Sequence, residues 1–435
     1  MTFSIKTLAL PLLFIAFLTT SFDLFLNVDI GFNFRFCQLV LGVLFILGIY
    51  KTIVQTRLKV VKPLGFEYLL AWSLFIIIFI PNNTFYTKSL GYAIWLVYNL
   101  LLVFFLVQLL ADREAVLKAA RLYLYSFFAL AIIGLIQFLL PVVGFVQLLP
   151  TVLLPSQWWI VGVLPRINGF SYEPSAYASY MTMGFIFSSS LKKYQSCLVS
   201  SRQLTIIQIT IALAMFLTSS RMGWVVMGLW FLHYAVLFVM RLFRGKLNLR
   251  YSVYFGGFFV IIPALLVYAY QRFAAQLLLF VSGTGLLGSS AHSYDQRSGE
   301  LVDTLAVFLQ SPLVGYSFGG LSTAVARLDG VRVTTLEQAS AYEPMGFFPV
   351  VLAASGLIGF VFFIMYLGSL LVKPILLQSQ LSDQEMRTVL SSMIIALVFE
   401  LVILQLTQNP LQIILWMHIA LLTAVYQVAK KNTYA

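Results

Sequence analysis

Long apolar runs separated by short polar breaks repeat from one end of the chain to the other. A helix needs about 20 apolar residues to cross a hydrocarbon layer of roughly 30 Å. Runs that approach or exceed this length fall at 6–25, 34–51, 66–81, 89–110, 122–142, 174–190, 204–218, 222–240, 251–270, 346–372, 388–406 and 411–428. The pattern predicts about twelve transmembrane helices, and so an all-α polytopic membrane protein built as one integral membrane domain over 1–435. The first run does not read as a cleaved leader. Lys6 is its only n-region cation, and Asp23-Leu24-Phe25-Leu26 stands where a small-residue cleavage site would lie.

Two polar interruptions are long. Residues 143–173 read as an outer loop, with Trp158 and Trp159 as interfacial anchors among Pro150, Pro155 and Pro165. Residues 271–345 form the longest polar stretch and are expected to make a large outer loop; loops of such length are commonly functional. A Gly/Ser cluster from Ser282 to Ser290 reads as a hinge or lid. Beyond it, Leu301, Leu305, Phe308 and Leu309 recur at three- and four-residue spacing. That spacing predicts an amphipathic helix from about Arg297 to Gln310, suited to the membrane surface. Pro312, Gly315, Gly319 and Gly320 then break the chain.

Composition narrows the class. The 435 residues are 61% hydrophobic and 10% charged, against roughly 45–50% and about 25% in ordinary soluble domains. A water-soluble multidomain enzyme, a disordered chain and a fibrous repeat are excluded. The net charge of +12 would suggest nucleic acid in a soluble protein. In a membrane protein it mostly records which loops stay in the cytoplasm, so the expected partner is the bilayer and not nucleic acid. Alternating sides from a cytoplasmic N-terminus puts 19 of the 27 Lys and Arg inside, along with both termini. The other eight are Arg35, Lys88, Arg166, Arg221, Arg272, Arg297, Arg327 and Arg332. All but Lys88 are arginines, whose planar fork can hold phosphate or carboxylate through two bonds. Cys37 and Cys197 supply neither a disulfide framework nor a thiolate metal site.

Four constellations stand on this outer side. In Arg166-Ile-Asn-Gly-Phe-Ser-Tyr-Glu173-Pro174, the proline suits the first turn of a helix and Glu173 sits at its positive end. Glu173 reads either as a helix-capping carboxylate or as part of a site. In Thr218-Ser219-Ser220-Arg221, a tight re-entry holds Arg221 at the surface, as a snorkelling cation or as a ligand-binding one. In His292-Ser-Tyr-Asp-Gln-Arg297-Ser-Gly-Glu300, Arg297 pairs with Glu300 three residues on, or turns toward Arg221 and an anionic headgroup. The fourth is Tyr342-Glu343-Pro344-Met345-Gly346, with Gly356 and Gly359 in the following run as points of close helix packing. Glu400 lies inside a span, where a charge costs ~2.5–3.5 kcal/mol; it reads as a partner for Arg35 or as part of a site. His233 and His418 read as packed structural residues. No Asp-x-Asp pair, P-loop or His-Glu-x-x-His helix occurs, so no metal site and no cofactor is expected, and arginines would carry the stabilisation of phosphate charge.

These constellations, in this order on this scaffold, resemble the O-antigen polymerase and O-antigen ligase superfamily of bacterial membrane glycosyltransferases. The likeness runs through Arg166–Pro174, Ser220-Arg221, Arg297 with its helix, Pro312-Leu-Val-Gly315 and Gly356/Gly359, covering about 122 to 372. The resemblance implies an inner-membrane enzyme that takes glycan from an undecaprenyl-pyrophosphate carrier at the outer face, needing no metal. It implies that Arg221 and Arg297 grip the pyrophosphate, with Arg166, Arg327 and Arg332 as further candidates. Glu173 and then Glu343 are the candidate bases for the acceptor hydroxyl. A chain-length regulator and a flippase are the implied protein partners. The ligase branch carries a His before its Gly-x-x-Gly, where this chain has Met345-Gly346. A polymerase acting on lipid-linked repeat units is therefore expected ahead of a ligase, with a transporter or flippase of lipid-linked sugars as the alternative of another class.

Overall fold

A computed structural model describes residues 5–23, 27–29, 33–80, 84–145, 148, 159–160, 164–243, 292–406 and 410–434, with isolated positions between 257 and 274. The expected run 251–270 falls largely outside these residues, and the Gly/Ser cluster Ser282–Ser290 and Trp158 fall wholly outside them.

The described chain is almost entirely helical. In order come α1 (Ile5–Thr19), α2 (Phe36–Tyr50, continued by a π-turn over Lys51–Gln55), α3 (Phe66–Ile78), α4 (Tyr86–Leu109) and α5 (Arg113–Val142). Then follow α6 (Pro174–Lys193), α7 (Ser201–Leu217), α8 (Arg221–Phe243), α9 (His292–Gln310), α10 (Ser317–Leu328) and α11 (Leu336–Ser340). The last three are α12 (Phe347–Gln378), α13 (Gln384–Ile403) and α14 (Ile413–Tyr434). Two short antiparallel pairings, Asn27–Asp29 with Asn33–Arg35 and Trp159–Ile160 with Leu164–Pro165, complete it. Among the described residues, seven helices are long and apolar enough to cross a membrane, and three apolar helices are shorter. This is an all-α membrane protein.

Local signals set the helix ends. Ala115 N–H donates to Asp112 Oδ1 at 2.9 Å, so α5 begins nine residues before its apolar run. Ser200 and Gln203 close a reciprocal capping box on α7, and Asp383 caps α13.

Interhelical bonds sort these ends onto two faces of the bundle. On one face Ser179 Oγ donates to Glu400 Oε1 at 3.1 Å, Phe348 N–H to Gln405 Oε1 at 3.3 Å, and Lys88 Nζ to Glu343 Oε1 at 2.6 Å. Arg35 pairs with Asp23 at 2.7 Å, and Asp23 N–H reaches Phe170 O at 2.9 Å. The starts of α2, α4, α6 and α12 thus meet the ends of α1 and α13. On the opposite face Arg113 pairs with Asp383, Lys51 Nζ donates to Leu109 O at 3.1 Å, and Cys197 N–H donates to Glu385 Oε2 at 2.7 Å. Arg35 therefore takes Asp23 as its partner. Glu400, fully buried, receives the Ser179 hydroxyl instead.

The core centres on α6, whose residues from Tyr177 to Leu191 are all buried. It packs against α5, α7, α8 and α13. Protein surrounds it on every side, so it can carry Ser179, Thr182, Ser188, Ser189 and Ser190 where a lipid-facing span could not. Continuous with this core, Trp72, Trp416 and Tyr366 stack between α3, α14 and α12. His418, also buried, meets Tyr123 Oη at 3.1 Å and Met393 O at 2.8 Å, as a packed structural residue should. His233 lies beside Lys193 Nζ at 3.3 Å.

Helix α12 is broken at Gly356, where φ is +58°. The N–H and C=O groups freed by the break are taken up by the preceding loop. Leu357 N–H donates to Pro312 O at 2.7 Å, and Tyr316 N–H donates to Ala353 O at 3.0 Å. A Cβ at Gly356 would lie 2.3 Å from the Leu313 backbone, and one at Gly315 would lie 2.6 Å from Ala353 and Ala354. The two glycines let main chain meet main chain, closer than helix-on-helix packing requires.

Candidate functional site

The Arg166–Pro174 segment is clamped from several sides. Gln137 donates to Gly169 O, Ser171 Oγ donates to Ser21 O at 3.2 Å, and Ile167 N–H donates to Leu217 O at 3.3 Å. Arg166, half-buried, turns its guanidinium into the α7–α8 connection: Nε donates to Thr218 O at 3.1 Å and Nη2 to Ser219 O at 3.3 Å. That connection is tight. Ser219 adopts φ +51°, Thr218 Oγ1 accepts Ser220 N–H at 3.1 Å, and the Phe216 and Trp224 rings stack at 5.7 Å.

Arg166 thereby fixes the turn that presents Arg221, the first residue of α8. Arg221 is half-buried and makes no hydrogen bond or ion pair among the described residues. It sits where the N–H groups of a helix start are open and an anion is favoured. Glu173 occupies the N-cap position of α6 without capping it: no side-chain cap bond forms, and Oε2 accepts the Ser175 hydroxyl at 2.7 Å. The three charges share one neighbourhood. Burial holds the Arg166 guanidinium below the usual arginine range, Glu173 opposes that effect, and Arg221 adds to it. A bound anion would relieve the crowding of Arg166 by Arg221.

The other sequence candidates stand on the same face but on other helices. Glu343 is committed to Lys88, whose Nζ also donates to Ser322 Oγ at 2.9 Å. Arg297 is exposed on α9, which packs on α10 and α12, while α8 packs on α6 and α7. Met345 N–H donates to Thr304 Oγ1 at 2.9 Å and ties α9 to the turn before α12. Val307 and Thr304 face the protein; Val302, Leu305 and Leu309 are exposed as an apolar stripe. The predicted amphipathic stripe is thus divided, with Leu301 and Phe308 leaning on protein. The side chains from His292 to Gln296 lie outside the described residues.

Arg327 and Arg332 line a cleft of about 500 Å³ with Thr84, Thr323, Gly330, Val331 and Val333. Among the described residues no group of three His, Cys, Asp or Glu side chains comes together as a metal would need. The sequence gives Lys88 no role among the eight cations it sets apart. It was the one lysine in an otherwise arginine set, and it proves to be a structural partner.

The fold defines a helical integral membrane protein with Arg166, Glu173 and Arg221 grouped at one end of the bundle. Compared with known proteins, the chain matches no protein-family model and no curated protein.

Proposed function

We propose that the chain is a polysaccharide polymerase of the bacterial inner membrane, with about twelve spans and with the arginine-bearing face on the periplasmic side. It transfers a growing glycan from undecaprenyl pyrophosphate onto a sugar hydroxyl of a lipid-linked repeat unit. The observation that carries this reading is the grouping of Arg166, Arg221 and Glu173 where the starts of α6 and α8 meet. Arg221 stabilises the charge that gathers on the departing pyrophosphate. Arg166 positions it through the carbonyls of Thr218 and Ser219. Glu173 accepts the proton of the attacking hydroxyl, and Arg297 approaches the diphosphate from α9. In atom balance, the acceptor oxygen bonds to the anomeric carbon, the bond from that carbon to the phosphoryl oxygen breaks, and the leaving diphosphate keeps the electron pair.

One feature favours a transporter of lipid-linked sugars instead, because broken helices are common in transporters. The break in α12 at Gly356 is of that kind. Its freed donors are occupied by Pro312 and Leu313 of the same chain, however, and so do not await a substrate.

The test is the purified full chain incubated with lipid-linked repeat units alone. Laddered glycan is expected. Arg221→Ala and Arg297→Ala should each remove long products while membrane insertion stays normal, and Arg297→Lys should also be poor because a point charge cannot grip two oxygens. Full-length polymer from either alanine variant overturns the arginine assignment. A strict requirement for a separate acceptor overturns polymerase in favour of ligase.

A further inference from the structure

The cleft at Arg327 continues into a second chamber of about 240 Å³, lined by Phe79, Ser311, Val314, Gly315, Tyr316 and Gly320. Thr84, Thr323 and Arg327 belong to both chambers. The larger one is headed by two guanidinium groups, from the end of α10 and from the connection that follows it. Neither Arg327 nor Arg332 has a carboxylate within ion-pair distance among the described residues, and no carboxylate lines either chamber. Arg327 holds only a long contact, 3.4 Å, to Thr84 Oγ1. The smaller chamber offers two braced rings: Phe79 packs on Phe75 at 5.0 Å, and Tyr316 Oη donates to Gln310 Oε1 at 3.3 Å.

Hydroxyls and backbone groups beside aromatic faces suit sugar rings, which carry hydroxyl edges and apolar C–H faces. Two guanidinium groups lining one cleft, neither in an ion pair among the described residues, suit a planar carboxylate. The combined space lies in the range of small-molecule sites, and a bare phosphate would leave most of it empty. We propose that this two-chambered cleft is a saccharide subsite for an acidic sugar, with its carboxylate between Arg327 and Arg332 and the neighbouring ring against Phe79 and Tyr316. Resting on the polymerase reading, it names the substrate class: a repeat unit that contains a uronic acid.

The test is calorimetric titration of the purified full chain, in nanodiscs of neutral lipid, with trigalacturonic acid, maltotriose and inorganic pyrophosphate. Trigalacturonic acid should bind, and maltotriose should bind at least about tenfold more weakly. Arg327→Gln and Arg332→Gln should each weaken the acidic probe by about tenfold. Both arginines are exposed, so these variants should elute as the wild type does on size exclusion. Equal affinity for maltotriose, or acidic-probe binding unchanged in both variants, overturns the proposal. Displacement of the probe by pyrophosphate, or its loss when phosphatidylglycerol is added to the discs, also overturns it and makes the cleft a phosphate or lipid-anion site. Binding as expected without any polymer formation would sink the polymerase reading alone. Polymer made equally well by both Gln variants from a uronate-containing repeat would sink the subsite alone.

Discussion

At the scale of residues, the cations of the arginine-rich face fall into distinct roles that their spacing in the chain did not distinguish. Arg166 directs its donors at two backbone carbonyls, Lys88 holds Glu343, and Arg35 holds Asp23, while Arg221 is left presented. The Asp23–Arg35 pair is largely withdrawn from water, with side-chain exposures of 13% and 29%. Asp23→Asn would keep the shape and leave Arg35 without its counter-charge. It should destabilise the protein by ~3 kcal/mol, the lower end for a buried pair because Arg35 keeps some access to solvent. The double variant Asp23→Asn/Arg35→Met should recover much of that loss. Thermal unfolding in detergent checks this, and an Asp23→Asn midpoint equal to that of the wild type would show the pair to be idle. The pairing was not legible in the sequence, because Asp23 stands twelve residues before Arg35 and no local pattern singles it out.

At the scale of elements, apolar periodicity located most helices, and the departures have clear causes. Asp112 starts α5 ahead of its apolar run by capping it. Helix α6 carries hydroxyls through its length because it is ringed by other helices, so a pattern tuned to lipid understates it. The Pro312–Gly315 segment and the glycines of α12 read separately as a chain break and a packing surface, yet they form one device in which a loop completes a broken helix. Gly356→Ala should disrupt it. A positive φ with ψ near −173° is a conformation that essentially only glycine adopts, costing ~1–3 kcal/mol for a residue with a Cβ, and the added carbon would overlap the Leu313 main chain at 2.3 Å. The expected result is a lower unfolding temperature together with faster proteolysis between residues 311 and 316. Wild-type resistance to both would mean that the break is tolerated by other residue types.

At the scale of the whole molecule, the bundle has two chemically different ends, and the proposed orientation makes them distinguishable in intact cells. Cys197 is exposed on the end held together by Glu385 and Asp383, whereas Cys37 is buried. A membrane-impermeant maleimide should leave native Cys197 unlabelled from outside and should label Glu337→Cys, which lies on the opposite end. Labelling of Cys197 in unbroken cells would invert the topology. The sequence by itself determined that the chain is a helical membrane protein, where most helices lie, and which connections carry its cations. Those properties follow from local hydrophobicity and from charge counted along the chain, and both are written residue by residue. Only the tertiary structure decided which carboxylate meets which cation, that Arg166 braces Arg221, and that Arg327 and Arg332 open onto a shared cleft. Such partnerships depend on how the helices pack, which no local pattern encodes; Lys88 and Glu343 stand 255 positions apart.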